Sequence, residues 1–440
     1  MATYIPNTKD EQQSMLREIG YQSFDDLFHD VPKEARVQGE LDLPEGKSEL
    51  EVRRIMEGMA EKNFVFDTIL RGAGSYNHYV PAAVNEIADK EEFLTAYTPY
   101  QAEISQGILQ SIFEYQTMIA ELTGMEVANA SLYDGASAAA EACGMCKDRK
   151  RSTIYVSDAV DPRILSVVRT YSFGKGTEVK TVKTADGATD LSALKEALAA
   201  DPQAACFLMQ YPNFYGIVED ADAIAAAVHE AGAQLIMSVN PIALGILKTP
   251  GEIGADIVVG DGQPLGLGLA FGGPYLGILA ASQKNMRKVV GRLIGETVDS
   301  QGERGFVLTL QAREQHIRRE KASSNICSNQ ALCALKASIY MSTVGPQGIR
   351  QVAELCTSKA HYLAAEFEKI GLKTVYGGEF FHEFVTSCPD ADQLLEALER
   401  EGILGGLKLS DQEILWCVTE LVSKEDMDDT VRIAKEVIGA

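Results

Sequence analysis

Between residues 152 and 260 the chain alternates apolar runs with amphipathic ones so regularly that few architectures can hold it. The strand-like segments STIYVSD, EVKTVK, AACFLMQ, QLIMSV and DIVVG are interleaved with the helix-like DPRILSVVRTYS, LSALKEALAA and DADAIAAAVHEAG. Strands that are apolar on both faces and joined through helices build a mainly parallel sheet covered on each side. A further apolar run, residues 275–281, reads as a strand. The Gly-x-Gly at Gly266 and Gly268 therefore does not open a helix, as a dinucleotide fingerprint must.

Around this core the pattern divides the chain in three. Residues 1–70 alternate short helical patterns with Pro6, Pro32 and Pro44, as a mobile or partner-embracing N-terminal extension would. Residues 71–344 form a large α/β domain, and residues 345–440 a small α+β domain. A helix is expected from Tyr97, with Thr98 as cap, Pro99 at the first position, Gln101 closing a capping box and Gly124 as the stop. Ile104, Ile108, Ile112, Ile119 and Leu122 would share its face. Downstream we expect a helix through QAREQHIRREK, a polar break at ASSNICSN, and a helix QALCALKASIYMSTV ended by Gly345 and Pro346. Then follow a helix over 351–370, short strands near TVYG and FFHEFVTS, a helix ADQLLEALERE, a strand at ILWCVTE and a terminal helix from Lys424.

A net charge of -23 and a pI near 4.7 oppose binding to nucleic acid or an anionic membrane surface. With no secretory leader and no uncharged apolar run of about 18 residues, the expected location is the cytoplasm. Eight scattered cysteines read as free thiols in a reducing compartment. Cys143 and Cys146 form a C-x-x-C, but no second pair follows at zinc-ribbon spacing and SAAAEACGMCKDR reads as helix, so no metal site is assigned.

The segment Gly254 to Gly277, GADIVVGDGQPLGLGLAFGGPYLG, is built like the strand-and-glycine stretch that carries the cofactor lysine in enzymes of pyridoxal phosphate (PLP), yet it contains no lysine. Gln263 and Pro264 stand where a His-Lys pair belongs, and Lys248 and Lys284 lie outside on either side. PLP chemistry needs a lysine amine and, usually, a carboxylate against the pyridinium nitrogen. The strand LIMSVN ends instead on neutral Asn240. Where the loop YDGAS enters a helix, the natural seat for a phosphate, Asp134 would both cap the amides and repel a dianion. The fold reads as retained and the cofactor site as lost.

Other segments leave two readings open. In QYPNFYGIVED, Asn213 is either near a ligand or part of a plain turn. In YTPYQAEISQG the capping box explains Thr98 and Gln101, whereas Tyr97 and Tyr100 could wall a pocket. His78 sits in the glycine-rich RGAGSYNHYVP. Arg313, Arg318, Arg319 and Lys321 precede Ser323, Ser324 and Asn325, a set that suits phosphate or, for the arginines, salt bridges with Glu314 and Glu320.

Four segments in this order, LTAYTPYQAEISQG at Leu94 to Gly107, LTGMEVANASLYDGASAAAEA at Leu122 to Ala142, QYPNFYGIVED and REKASSNICS at Arg319 to Ser328, resemble the glycine dehydrogenase (decarboxylating) family. This is the P-protein of the glycine cleavage system, and the likeness is to its subunit 1, the α chain of the two-subunit form. It covers essentially the whole chain. The resemblance implies a PLP-dependent aminotransferase-like fold (fold type I) and an enzyme active as a complex, with PLP and its aldimine lysine on the β chain (subunit 2). Glycine would lose carbon dioxide there, and its aminomethyl group would pass to the lipoyl arm of the H-protein, with lipoamide as co-substrate. The resemblance further implies a heterotetramer of two α and two β chains. Tyr97, Thr98, Tyr100 and Gln101 would face the glycine or lipoyl end of the partner's pocket, with Asn77 and His78 beside them, and Ser323, Ser324 and Asn325 would reach the phosphate of the partner's PLP. The chain departs from the family at Ser323, where Thr is expected, and at GAGSYNHYVP, where a GMGYYNTHVP-like loop is expected. The alternative is a structural or regulatory pseudo-enzyme that stabilises a catalytic partner and contributes no site residue.

Overall fold

The structure, a computed structural model, describes residues 6–37, 39, 41–96 and 99–439. Contacts separate two compact units, Met1–Phe64 and Val65–Ala440, so the first unit ends short of the expected residue 70. It carries α1 (Lys9–Glu18) and α2 (Glu49–Ala60), each opened by a capping box, Thr8 with Glu11 and Ser48 with Glu51. Helix α2 leaves Leu50, Ile55, Met56 and Met59 exposed.

The second unit is built on a seven-stranded sheet. Its strands are β1 (Val127–Ala128), β2 (Thr153–Ser157), β3 (Val179–Val182), β4 (Ala204–Tyr211), β5 (Gln234–Val239), β6 (Ile257–Asp261) and β7 (Gly277–Ala281). They lie in the order β1-β7-β6-β5-β4-β2-β3, and only β7 runs antiparallel to its neighbours. The period-2 alternation of strands sends Phe207, Met209, Leu235 and Met237 into one core and Cys206, Leu208 and Ile236 into the other. That two-sided burial is why these runs read as uninterrupted apolar sequence. The crossover helices are α5 (Pro162–Gly174), α6 (Leu191–Ala200) and α7 (Ala221–Glu230), while α3 (Gln106–Thr123) and α4 (Gly135–Cys146) precede them.

Helix α3 starts at Gln106, not in the expected stretch from Tyr97; Tyr97 and Thr98 lie outside the described residues. The Gln106 side chain brackets the Phe306 backbone, donating to its carbonyl at 2.9 Å and accepting from its amide at 2.8 Å, which fixes the first turn against the neighbouring hairpin. Upstream, Tyr100 is drawn under the Arg292 guanidinium, 5.0 Å from the ring centre. Ile104 is accordingly 80% exposed, whereas Ile112 and Ile119 are buried as expected. Gly124 ends the helix at φ 69°, a conformation that favours glycine.

Two further differences have local causes. The hairpin β8 (Ile294–Val298) and β9 (Arg304–Leu308) buries only Ile294 and Phe306 and so has no alternating apolar signature. QAREQHIRREK is not one helix but short turns over 311–321, because Leu310 and Arg319 take positive φ, and Arg318 Nε bonds back to the Ala312 carbonyl at 3.0 Å.

The long α8 (Ala331–Lys369) bends at Gly345, whose φ is 66°, before Pro346. Its far half packs on an antiparallel sheet of β10 (Glu383–Ser387), β11 (Leu407–Ser410) and β12 (Glu413–Cys417) with α9 (Ala391–Arg400) and α10 (Lys424–Ile438). Phe367, Phe384 and Trp416 centre that core. The expected strand at TVYG is reduced to a single bridge from Thr374 to Thr386. Among the described residues no helix is long and apolar enough to cross a membrane.

Candidate active site

The carboxyl ends of β4, β5 and β6 and the start of α4 enclose a cleft of about 270 Å³, the place where open parallel sheets take ligands. Its floor is already occupied by the chain's own groups. At the α4 N-terminus the Asp134 carboxylate accepts from the Ser137 amide at 2.7 Å, and the Asp261 carboxylate accepts from the Gly135 amide at 3.0 Å. The approach needs glycine at 135, since a Cβ there would lie 2.8 Å from the Asp261 nitrogen. Burial pushes the Asp261 carboxyl up to about 6, and the negative charge of Asp134 acts in the same direction. A phosphate entering this seat would meet two carboxylates on the donors it needs.

Gln263, fully buried, fills the lysine position with a fixed set of bonds. Its Oε1 accepts from the Tyr76 amide at 2.8 Å, and its Nε2 donates to the carbonyls of Tyr76 and Leu267, each at 2.8 Å. A lysine, which has no acceptor, cannot answer the Tyr76 amide. Asn240 accepts from the Ile242 amide at 3.0 Å and pairs with His382 Nε2 at 3.2 Å; burial holds the His382 imidazole well below its usual range and the nearby His78 adds to this. Under the cleft wall Glu383 accepts from the Ala73 amide at 2.6 Å and the Tyr76 hydroxyl at 2.9 Å, and burial pushes its carboxyl up to about 7. The residues present do not fit PLP: they offer no amine, no carboxylate at the ring nitrogen and no free phosphate seat.

The singled-out residues fall into two groups. Asn77 and His78 are tied to the C-terminal region: the Asn77 carbonyl accepts from Thr419 Oγ1 at 2.7 Å, and buried His78 donates from Nδ1 to Glu420 at 2.7 Å. Half-buried Tyr100 lies under Arg292 and its hydroxyl accepts from Asn329 at 3.3 Å, while Gln101 is exposed. Ser323 and Ser324 border a small recess with Arg292 and Arg313, so Arg292 links Tyr100 to the serine loop. Ser323 and Asn325 are exposed, and the Ser324 hydroxyl donates to Glu141 of α4 at 2.7 Å. Glu314 pairs with Arg292 rather than with Arg313, whose Nη2 donates to the Gly291 carbonyl at 2.7 Å. Burial and the neighbouring Arg292 push the Arg313 guanidinium down to about 10.

Asn213 resolves as a turn residue. Its side chain donates to the Gly187 carbonyl and to Glu219 and accepts from the amides of Tyr215 and Ile217, which uses its whole capacity. Asp261, Arg292 and Glu383 were not singled out in the sequence. Asp261 alone carried a signal, as the acidic residue ending an apolar strand; the other two reach their places only through long-range packing.

A family model described as glycine cleavage system P-protein matches residues 2–434. The chain belongs to the glycine cleavage system P-protein family. It is 48% identical over 439 residues to the probable glycine dehydrogenase (decarboxylating) subunit 1 of Desulfitobacterium hafniense, covering 97% of this chain and 98% of that one. To the protein of the same description in Geobacillus kaustophilus it is 49% identical over 436 residues, 97% of each. A crystal structure of glycine decarboxylase (P-protein) in inhibitor-bound form superposes with a TM-score of 0.92 at 42% identity, covering 99% of this chain and 100% of that one. An alanine–glyoxylate aminotransferase from Nostoc, at 16% identity and a TM-score of 0.59 over 93% of this chain and 99% of that one, shares the fold. This P-protein chain thus has the expected aminotransferase-like fold, with the cofactor seat of that fold closed by its own side chains.

Proposed function

We propose that this chain is the partner-dependent half of a glycine-decarboxylating P-protein, working with a subunit 2 that holds PLP on its own lysine. The observation that carries this reading is the sealed seat, Asp134, Asp261 and Gln263 bonded within the chain, in a P-protein otherwise matched over its full length. PLP on the partner supplies the electron sink for loss of carbon dioxide. This chain's part is to wall the pocket, exclude water and orient the glycine and the lipoyl arm of the H-protein. Tyr100 and Gln101, with Tyr97, Thr98 and Asn77, are the proposed wall; His78, buried on Glu420, would hold the Asn77 loop from behind and not face the pocket. Ser323, Ser324 and Asn325 are the proposed donors to the partner's phosphate, supported by the two guanidiniums beneath them. The assembly proposed is two chains of each kind, in the cytoplasm.

Treating the purified chain with PLP and borohydride tests this. We expect no reduced adduct on this chain and, after mixing with subunit 2, an adduct on subunit 2 alone together with glycine decarboxylation. A modified lysine on this chain overturns the reading. The Ser324–Glu141 hydrogen bond favours a structural role for that serine. If Tyr100→Phe, Gln101→Ala and Ser323→Ala all leave decarboxylation unchanged in an intact complex, the scaffold reading replaces the catalytic one.

A further inference from the structure

Away from the cleft, three segments distant in sequence bring an imidazole, a thiol and a carboxylate to one buried point. His78 comes from the glycine-rich loop, Cys356 from the far half of α8, and Glu420 from the loop after β12. Their ligand atoms all lie within 4.8 Å of one another. His78 Nδ1 stands 2.7 Å and Cys356 Sγ 3.5 Å from Glu420 Oε2. The His78 and Glu420 side chains are 2% and 10% exposed, and Cys356 is fully buried. We propose that His78 Nδ1, Cys356 Sγ and Glu420 Oε2 form a binding site for one divalent cation of the zinc class.

The donor set is the first argument. One nitrogen, one sulfur and one oxygen suit a borderline-soft tetrahedral ion and do not suit magnesium or calcium, which take oxygen alone. With bonds of about 2.0–2.3 Å, tetrahedral ligand atoms stand roughly 3.3–3.7 Å apart. The sulfur–oxygen distance already meets this, and the nitrogen–oxygen pair has to open by about half an ångström. Water would take the fourth position; Tyr79 and Leu421, the chain neighbours of His78 and Glu420, are 61% and 42% exposed.

Charge is the second argument. Without the cation the Cys356 thiol keeps its proton and donates it towards Glu420 Oε2. A second proton lies between His78 Nδ1 and Glu420. On binding, the thiol proton passes to solvent, and the Nδ1 proton either follows it or moves to Nε2, which is buried and has no partner among the described residues. Thiolate and carboxylate then balance the divalent charge around a neutral imidazole, so no net charge is left in the low-dielectric interior. The carboxylate is already oriented: Glu420 Oε1 accepts from the Tyr79 amide at 2.7 Å. Lys359, the nearby cation, is turned onto the carbonyls of Glu420 and Val422 and does not occupy the site. The bound ion would clasp the loop that carries Tyr76 to the C-terminal region.

The test uses the full-length chain stripped with chelator, dialysed against zinc, and loaded separately with cobalt(II) as a spectroscopic probe. We expect one tightly held zinc per chain, release of at least one proton on binding, and a thiolate-to-cobalt charge-transfer band. Cys356→Ser should abolish the band and weaken zinc binding by at least about tenfold, while Cys327→Ser, which removes the exposed thiol, should leave both unchanged. Equal zinc retention by the wild type and Cys356→Ser overturns the proposal, as does a cobalt spectrum without a thiolate band. If Cys356→Ser does not fold, Glu420→Gln decides by the same readouts, and wild-type stoichiometry with an unchanged band would again overturn it.

Discussion

Two polar regions of this P-protein chain, the cleft at the strand ends and the recess beneath Ser323 and Ser324, are finished to different degrees. In the cleft the donors and acceptors meet partners from the same chain: Asp134 and Asp261 take the α4 amides, and Gln263 brackets Tyr76. In the recess, Arg292 Nε, Arg313 Nε and Glu314 Oε1 are buried without a hydrogen-bond partner among the described residues, and burial with the adjacent Arg292 depresses the Arg313 guanidinium. Buried polar groups are almost always paired in native proteins. A region that pairs nearly all of its own groups, His382 Nδ1 being an exception, has little need of a ligand. The recess leaves two cationic donors unpaired beside one carboxylate oxygen, and it is there that the proposed function puts the partner's phosphate. On the proposed function, this chain's contribution lies at the rim and not in the cofactor seat of the fold.

The sharpest way to break this contrast is to try to reopen the cleft. Gln263→Lys buries an amine and strands the Tyr76 amide, and should cost about 4 kcal/mol in urea unfolding. Even combined with Asn240→Asp it should give no borohydride adduct with PLP while Asp134 and Asp261 remain. A trapped adduct in the double variant would mean that the cleft is closed by one residue and not by a network.

Next in size is a pH effect. The Asp261 carboxyl titrates near 6 in the folded chain against 3.8 for the ordinary group. Between those values the folded form binds the extra proton. The group's contribution is therefore fully present below about pH 4 and is lost as pH rises through 6. The difference amounts to about 3 kcal/mol by linkage. Comparing wild type with Asp261→Asn by denaturant unfolding at pH 4.5 and pH 8 isolates it: the wild type should lose stability relative to the variant as pH rises. A gap that does not change with pH would show a solvated carboxylate, and an open cleft.

For the recess, Arg313→Met in the assembled complex should lower decarboxylation by about tenfold, the value of a charge-assisted contact, with the larger part appearing as weaker PLP retention. The isolated chain should lose little stability, because that guanidinium is only partly satisfied within it. If the stability loss dominates and PLP retention is unchanged, the recess is an internal strut.

The reach of the sequence follows the same division. The α/β core was legible because β2, β4, β5 and β6 bury both faces, so their composition alone announces them. The residues that fill the cleft were legible too, since Gln263, Asn240 and Asp134 stand there in the sequence and are bonded within the chain in the structure. What could not be read are features made by tertiary contact. Gln106 fixes the start of α3 by bonding Phe306, two hundred residues away, which no capping pattern near Thr98 could reveal. Arg292 reaches Tyr100 and Glu314 from an unremarkable stretch of chain, and Arg318 and Leu310 break the helix expected at QAREQHIRREK through local bonds and a positive φ.

The smallest expected effect separates the two regions most finely, because Ser324 belongs to both. Its hydroxyl donates to Glu141, a carboxyl on the cleft-side helix that burial raises and this bond lowers. Ser324→Ala removes that donor and should cost the isolated chain about 1 kcal/mol. Ser323 is exposed, so Ser323→Ala should leave stability unchanged. If the loop serves the partner's phosphate, both variants weaken PLP retention in the complex by a few-fold, and Ser323→Ala does so with no stability cost. If Ser324→Ala alone has an effect, and stability and retention fall together, the loop only braces α4. The division between a finished cleft and an unfinished rim would then have to be drawn at Arg313 rather than at the serines.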